Sequence, residues 1–96
     1  MSNKGVGNQK GYVVYVLYSD RYNKIYVGQT EDLCRRIIEH NEGILSKYTK
    51  RYKPWRVIYT EEHESRSEAL KREKQLKSSR GRAFIWERIK GEQSNT

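Results

Sequence analysis

Between Tyr12 and Tyr18 the chain reads Tyr-Val-Val-Tyr-Val-Leu-Tyr, so both alternating sets of side chains are apolar. A strand with one face in water would alternate apolar with polar residues; this one must be covered on both faces, which places it at the centre of its sheet. With 96 residues the chain has room for one core, because a domain of this size removes only about 60 to 65% of its extended surface on folding. Ser19 to Asn23 is polar and turn-like, and Lys24-Ile25-Tyr26-Val27-Gly28 follows as a second strand close enough to pair as an antiparallel hairpin. If Ser19 faces Lys24, Tyr15 and Tyr26 project from the same face; a slip of one residue separates them.

The remaining elements follow from caps and periodicity. Thr30 is placed to cap a helix that starts with Glu31 and Asp32, runs through Leu33, Cys34, Ile37 and Ile38 to about Asn41, and stops at Gly43. Lys47 to Arg56 reads as a loop broken by Pro54, and Trp55 to Thr60 as a third strand. Ser65-Arg66-Ser67-Glu68 is a capping box that opens a helix through Ala69, Leu70, Glu73 and Leu76, ending near Ser78. Arg82 to Lys90 supplies a last amphipathic helix. The expectation is an α+β fold in the order β-β-α-β-α-α, with one domain over residues 11–90 and tails over 1–10 and 91–96.

Cys34 is the one cysteine, which excludes an intramolecular disulfide and a cysteine-rich zinc site and points to a reducing compartment. No apolar stretch approaches the roughly 20 residues that cross a bilayer, and residues 1–10 lack the apolar centre of a secretory signal, so the expectation is a cytoplasmic protein with no membrane partner. Twenty basic against 12 acidic side chains leave a charge of +8, which favours a polyanion, nucleic acid before anionic lipid. Lys47, Lys50, Arg51, Lys53 and Arg56 interleave with Tyr48, Tyr52 and Trp55, offering phosphate neutralisation beside flat surfaces on which bases could stack. Ser65 to Lys90 adds nine basic residues against three acids.

Glu73 is the residue that asks for a chemical explanation. At about 100° per residue it falls within the apolar stripe of Ala69, Leu70 and Leu76, where an ion is costly unless a cation or hydrogen bonds compensate. Either it pairs with a neighbouring Arg or Lys as a structural ion pair, or it faces a cleft and holds something there. Glu68 is explained by its capping box. On the first helix Arg36 and His40 are four apart and lie on one side of the Leu33–Ile37 stripe, although helix geometry does not separate Arg36 from Arg35. Tyr15 and Tyr26 read either as core aromatics or as phenols meeting in a cleft with Arg36 and Glu73. Gly28 suits a turn from strand to helix.

Taken in order, Val13-Val14-Tyr15, Tyr26-Val27-Gly28, Asp32-Leu33-Cys34-Arg35-Arg36 with His40, and Glu68-Ala69-Leu70-Lys71-Arg72-Glu73 resemble the GIY-YIG nuclease domain, and in particular the small stand-alone GIY-YIG proteins related to the N-terminal nuclease domain of the excision-repair subunit UvrC. The resemblance spans Tyr12 to Arg88 and implies a three-stranded antiparallel sheet flanked by helices, carrying a one-metal phosphodiesterase site. By that likeness Glu73 would be the sole protein ligand of a weakly bound Mg2+ or Mn2+. Tyr26 would be the general base or the group that positions water, Tyr15 its hydrogen-bonding partner, and Arg36 the group that stabilises charge on the phosphate. His40 stands where family members place His or Tyr. The implied substrate is DNA before RNA, cut to leave a 5′-phosphate and a 3′-hydroxyl. The first motif has Val13-Val14 in place of Gly-Ile, and Gln29 stands where such sequences often carry lysine. No segment reads as a second DNA-binding module, so specificity is expected from a protein partner, and a catalytically weak or inactive binding module is the alternative.

Overall fold

The computed structural model describes residues 11–94; the tail expected over 1–10 lies outside the described residues, as do 95 and 96. Its elements are β1 (Tyr12–Ser19), β2 (Lys24–Thr30), α1 (Leu33–Glu42), α2 (Lys47–Arg51), β3 (Arg56–His63), α3 (Arg66–Lys77) and α4 (Ser79–Ser94). The sheet has the order β2-β1-β3, antiparallel throughout, so the doubly apolar strand is the central one. Its two side-chain sets serve two separate cores. Val14, Val16 and Tyr18 pack with Ile25 and Val27 against Ala69, Leu76, Ile85 and Ile89 of α3 and α4. Val13, Tyr15 and Leu17 pack on the other face with Trp55, flanked by Leu33 and Ile37 of α1. Burial of aliphatic side chains such as Leu76 and Ile85 contributes about 1.5 to 3 kcal/mol each.

Ser19 pairs with Lys24, the register that puts Tyr15 and Tyr26 on one face. The turn between them is closed by Asn23 at φ 56, whose side chain accepts a 2.7 Å bond from the Tyr18 hydroxyl. β2 runs two residues beyond the predicted strand, because Gln29 and Thr30 still find partners in Val14 and Val13. Thr30 is therefore a strand residue, and the helix cap is Asp32, which accepts from the Arg35 backbone N–H at 3.1 Å. α1 ends as predicted at Gly43, in the left-handed region at φ 75 with its N–H on the last carbonyls.

The predicted loop over Lys47 to Arg56 contains a short helix, which corrects the element order to β-β-α-α-β-α-α. Ser46 caps α2 through the Thr49 N–H, and the Trp55 indole donates to the Thr49 carbonyl at 2.8 Å. Asn41 braces the segment to α1, accepting from the Trp55 N–H at 2.6 Å and donating to its carbonyl at 3.1 Å. Five residues are too few to show a helical period, so these tertiary bonds carry the turn. Trp55 precedes β3 instead of opening it, and that strand extends to His63 with a bulge at Ile58. α3 starts at the predicted Ser65 cap, but Leu70, about 100° from buried Ala69, points outward at 45% exposure. α4 extends past both predicted ends, and residues 91–94 of the expected tail are helical.

Candidate active site

Tyr15 stands opposite Gly28 in the strand pairing, and its ring lies across that glycine. A Cβ at position 28 would sit 2.6 Å from the Tyr15 hydroxyl and 3.1 Å from the Tyr26 ring. Gly28 therefore does not serve a strand-to-helix turn; it lies inside β2 and makes room for the two phenols. A glycine within a strand is the sequence signal for such a close approach. Tyr15 is 1% exposed, and the two tyrosine rings lie 6.3 Å apart.

His40 comes up beneath them from α1. Its Nε2 is 2.9 Å from the Tyr15 hydroxyl, and its ring packs edge-on against Tyr26 at 4.8 Å. Burial, reinforced by the Arg36 charge, pushes the His40 pKa down to about 4, with Glu39 opposing. The imidazole is neutral at neutral pH. Its Nδ1 is buried without a partner; an unmatched lone pair is better tolerated than an unmatched N–H, so we assign the ring proton to Nε2, donating to Tyr15. That assignment leaves the Tyr15 O–H free to donate elsewhere.

Burial raises the Tyr15 pKa above the ordinary phenol value; Tyr26 and Glu73 push the same way and Arg36 pulls against them. Tyr15 stays protonated, and its hydroxyl feels both the cation of α1 and the carboxylate of α3. Of the two arginines that helix geometry does not separate, Arg36 is the more buried: the Arg35 side chain is 60% exposed, that of Arg36 31%. Arg36 Nε lies 3.3 Å from Glu39 Oε1 without the alignment of a hydrogen bond.

Glu73 is on the helix that covers the opposite face of the sheet, where α3 packs against β1 and the edge strand β2. Its side chain is 19% exposed, with Lys77 Nζ 2.8 Å away one turn along. Lys77 is 53% exposed, and pairs of this spacing contribute only about 0.3 to 0.5 kcal/mol, so the lysine is a displaceable partner. Among the described residues no group of three or more His, Cys, Asp or Glu side chains comes together to cage a metal. A single half-buried carboxylate offers hard oxygen donors that suit Mg2+ or Mn2+, ions that keep most of their water and take the rest of their ligands from a phosphate substrate.

The basic segment divides. Lys47, Lys50, Arg51 and Lys53 are exposed around α2, while Arg56 is held by Asp20 at 2.7 Å and Glu92 at 3.2 Å. Tyr48 bonds the Ile25 carbonyl at 2.9 Å and packs on Trp55, Tyr52 and, at 6.4 Å, Tyr26. Lys24 and Arg51 both lie over the Tyr52 ring. The α2 segment is thus joined to Tyr26 through rings. No helix among the described residues is long and apolar enough to cross a membrane.

Residues 11–86 match the sequence pattern of the GIY-YIG catalytic domain. A UPF0213 protein of Staphylococcus saprophyticus is 41% identical over 69 residues, covering 72% of this chain and 82% of the relative. A UPF0213 protein of Listeria monocytogenes is 44% identical over 73 residues, 73% of this chain and 82% of its own. The solution NMR structure of a UPF0213 protein from Bacillus halodurans is 32% identical and covers 80% of this chain and 83% of that one, with a TM-score of 0.48.

Proposed function

The chain belongs to the GIY-YIG family of catalytic domains, and we propose that it is a divalent-metal-dependent endonuclease that hydrolyses phosphodiester bonds in DNA. The observation that supports this best is the state of the Tyr15 hydroxyl: bonded to a neutral His40, kept protonated, and within the fields of both Arg36 and Glu73. Core tyrosines do not need a carboxylate and a guanidinium acting on one hydroxyl.

In this reading Arg36 binds the scissile phosphate and offsets the charge that grows on its oxygens as water attacks. Tyr15 accepts from His40 and donates to the phosphate or to the attacking water, while Tyr26, on the adjacent strand, orients that water and takes its proton. The P–O3′ bond breaks as the Tyr26 phenol, receiving the water's proton, passes its own to solvent, and the departing 3′-oxygen takes a proton from solvent, leaving a 3′-hydroxyl and a 5′-phosphate. Glu73 is the residue that would hold Mg2+ or Mn2+, which when bound draws charge from the phosphate and makes water more acidic. Lys47, Lys50, Arg51 and Lys53, with the faces of Tyr48 and Tyr52, serve as the adjoining nucleic-acid surface.

The test is cleavage of branched, nicked and linear DNA with Mg2+ or Mn2+ by the wild type, Glu73→Gln and Arg36→Ala. Cleavage by the wild type alone supports the proposal, and equal activity in all three identifies a contaminant. A second reading, a nucleic-acid-binding module with little turnover, is favoured by the Lys77–Glu73 ion pair. Salt-dependent DNA binding without cleavage at any metal concentration selects it.

A further inference from the structure

Beside the Tyr15–His40 pair, the end of β2 and the starts of α1 and α3 enclose a groove of about 310 Å3 whose walls include Gln29, Arg35, Arg36 and Arg66, with Glu31 as the one acid. Arg35 and Arg36 share a single carboxylate, Glu39, at 3.8 and 3.3 Å. Arg66 is exposed and has no ion pair among the described residues. Two buried polar atoms on the walls, Arg36 Nε and Gln29 Oε1, have no hydrogen-bond partner. Cationic excess together with an unmatched guanidinium N–H is what an anion-binding groove looks like before its ligand arrives; the Gln29 oxygen, an acceptor, awaits a donor instead.

Position decides which anion. Arg36 belongs both to this groove and to the surroundings of the Tyr15 hydroxyl. A second groove along α3 starts at Ser67 and contains Glu73, Lys71 and Lys74. Arg66 thus lines the groove that holds Arg36, and its chain neighbour Ser67 lines the groove that holds Glu73. We propose that Arg35 and Arg66, in the groove they share with Arg36, form a phosphate subsite that grips the phosphodiester adjacent to the one Arg36 holds, with Arg66 as its principal contact. That the gripped phosphodiester neighbours a cut one rests on the proposed hydrolysis; the phosphate contact itself does not. A guanidinium fork suits two phosphate oxygens at once, and the Gln29 carboxamide can turn either its NH2 or its oxygen to the sugar–phosphate chain.

The experiment titrates a fluorescein-labelled DNA duplex in EDTA at several salt concentrations, using wild type, Arg66→Ala, Arg66→Lys and a control, Arg88→Ala. Arg88 lies over the Tyr59 ring, which packs on the core of the opposite sheet face. The expected result is a salt slope flattened by about 0.9 in Arg66→Ala, the signature of one lost phosphate contact, with the slope retained in Arg66→Lys and Arg88→Ala. Cleavage in Mg2+ is expected to show a raised KM and a preserved kcat for Arg66→Ala. An unchanged slope in Arg66→Ala, or an equal loss in Arg88→Ala, overturns the subsite. Because the EDTA titration needs no turnover, a protein that shows the slope change yet cleaves nothing upholds the subsite and overturns the hydrolytic proposal.

Discussion

The Tyr15 hydroxyl and His40 Nε2 are 2.9 Å apart in the interior, joining β1 to α1 across 25 residues of sequence. Tyr15→Phe removes this bond and strands a buried ring nitrogen, at a cost of about 1 to 3 kcal/mol. It also removes the proposed donor, for which a loss of about 100-fold in cleavage rate is expected. Urea unfolding and single-turnover cleavage check the two effects separately. A variant as stable as the wild type would remove the bond from the account of the fold.

His40 makes the fold sensitive to mild acid. Its folded pKa of about 4 lies below the 6.5 of a free imidazole, held down by burial first and by Arg36 second. Above pH 6.5 neither state is protonated and the group costs nothing. As pH falls from 6.5 toward 4 the unfolded chain takes up a proton that the folded one refuses, so stability drops across that window. His40→Gln is expected to flatten it in a plot of unfolding free energy against pH.

A second window lies lower. Burial alone would raise the Glu61 carboxyl, but the Arg72 guanidinium, with bonds at 2.9 to 3.1 Å, and hydrogen bonds from Tyr59 and His63 hold it down at about 2. The stabilisation is complete above 4.5 and is lost as pH falls from there through about 2. Glu61→Gln should flatten the dependence below pH 4.5, leaving the part carried by the exposed Asp20–Arg56 pair, and leave the His40 window in place, read by the same titration.

Gly28→Ala puts a methyl group 2.6 Å from a hydroxyl that cannot retreat, because Tyr15 is buried and bonded to His40. Destabilisation of about 1 to 3 kcal/mol is expected, along with loss of cleavage as the phenol shifts. Retention of full activity would show that the close packing of Tyr15 on Gly28 is not needed for the chemistry.

Lys77 competes with a divalent ion for Glu73. Lys77→Ala is expected to lower the Mg2+ concentration for half-maximal cleavage, while Glu73→Gln abolishes cleavage and leaves DNA binding in EDTA intact. A metal titration of both variants decides; an unchanged Mg2+ requirement in Lys77→Ala would mean that the ion pair does not hold the carboxylate.

The patterns legible in the chain are local ones. The doubly apolar run from Tyr12 to Tyr18 demanded a central strand, the polar turn after Ser19 allowed the register that puts Tyr15 and Tyr26 on one face without excluding a one-residue slip, and Ser65 and Gly43 marked helix ends. Each depends on the spacing of neighbours or on one backbone group. Tertiary structure alone decided the rest. α2 exists because Trp55 and Asn41 hold it, with too few residues to display a period. Thr30 lost the cap to Asp32 because strand pairing with Val13 took it first. Glu73 sits on a helix covering the face opposite Tyr15, and Arg66 meets Arg36 in one groove. Sequence spacing specifies which face of an element a side chain occupies; only packing specifies which distant side chains those faces bring together, because that depends on how all the elements fill the same volume.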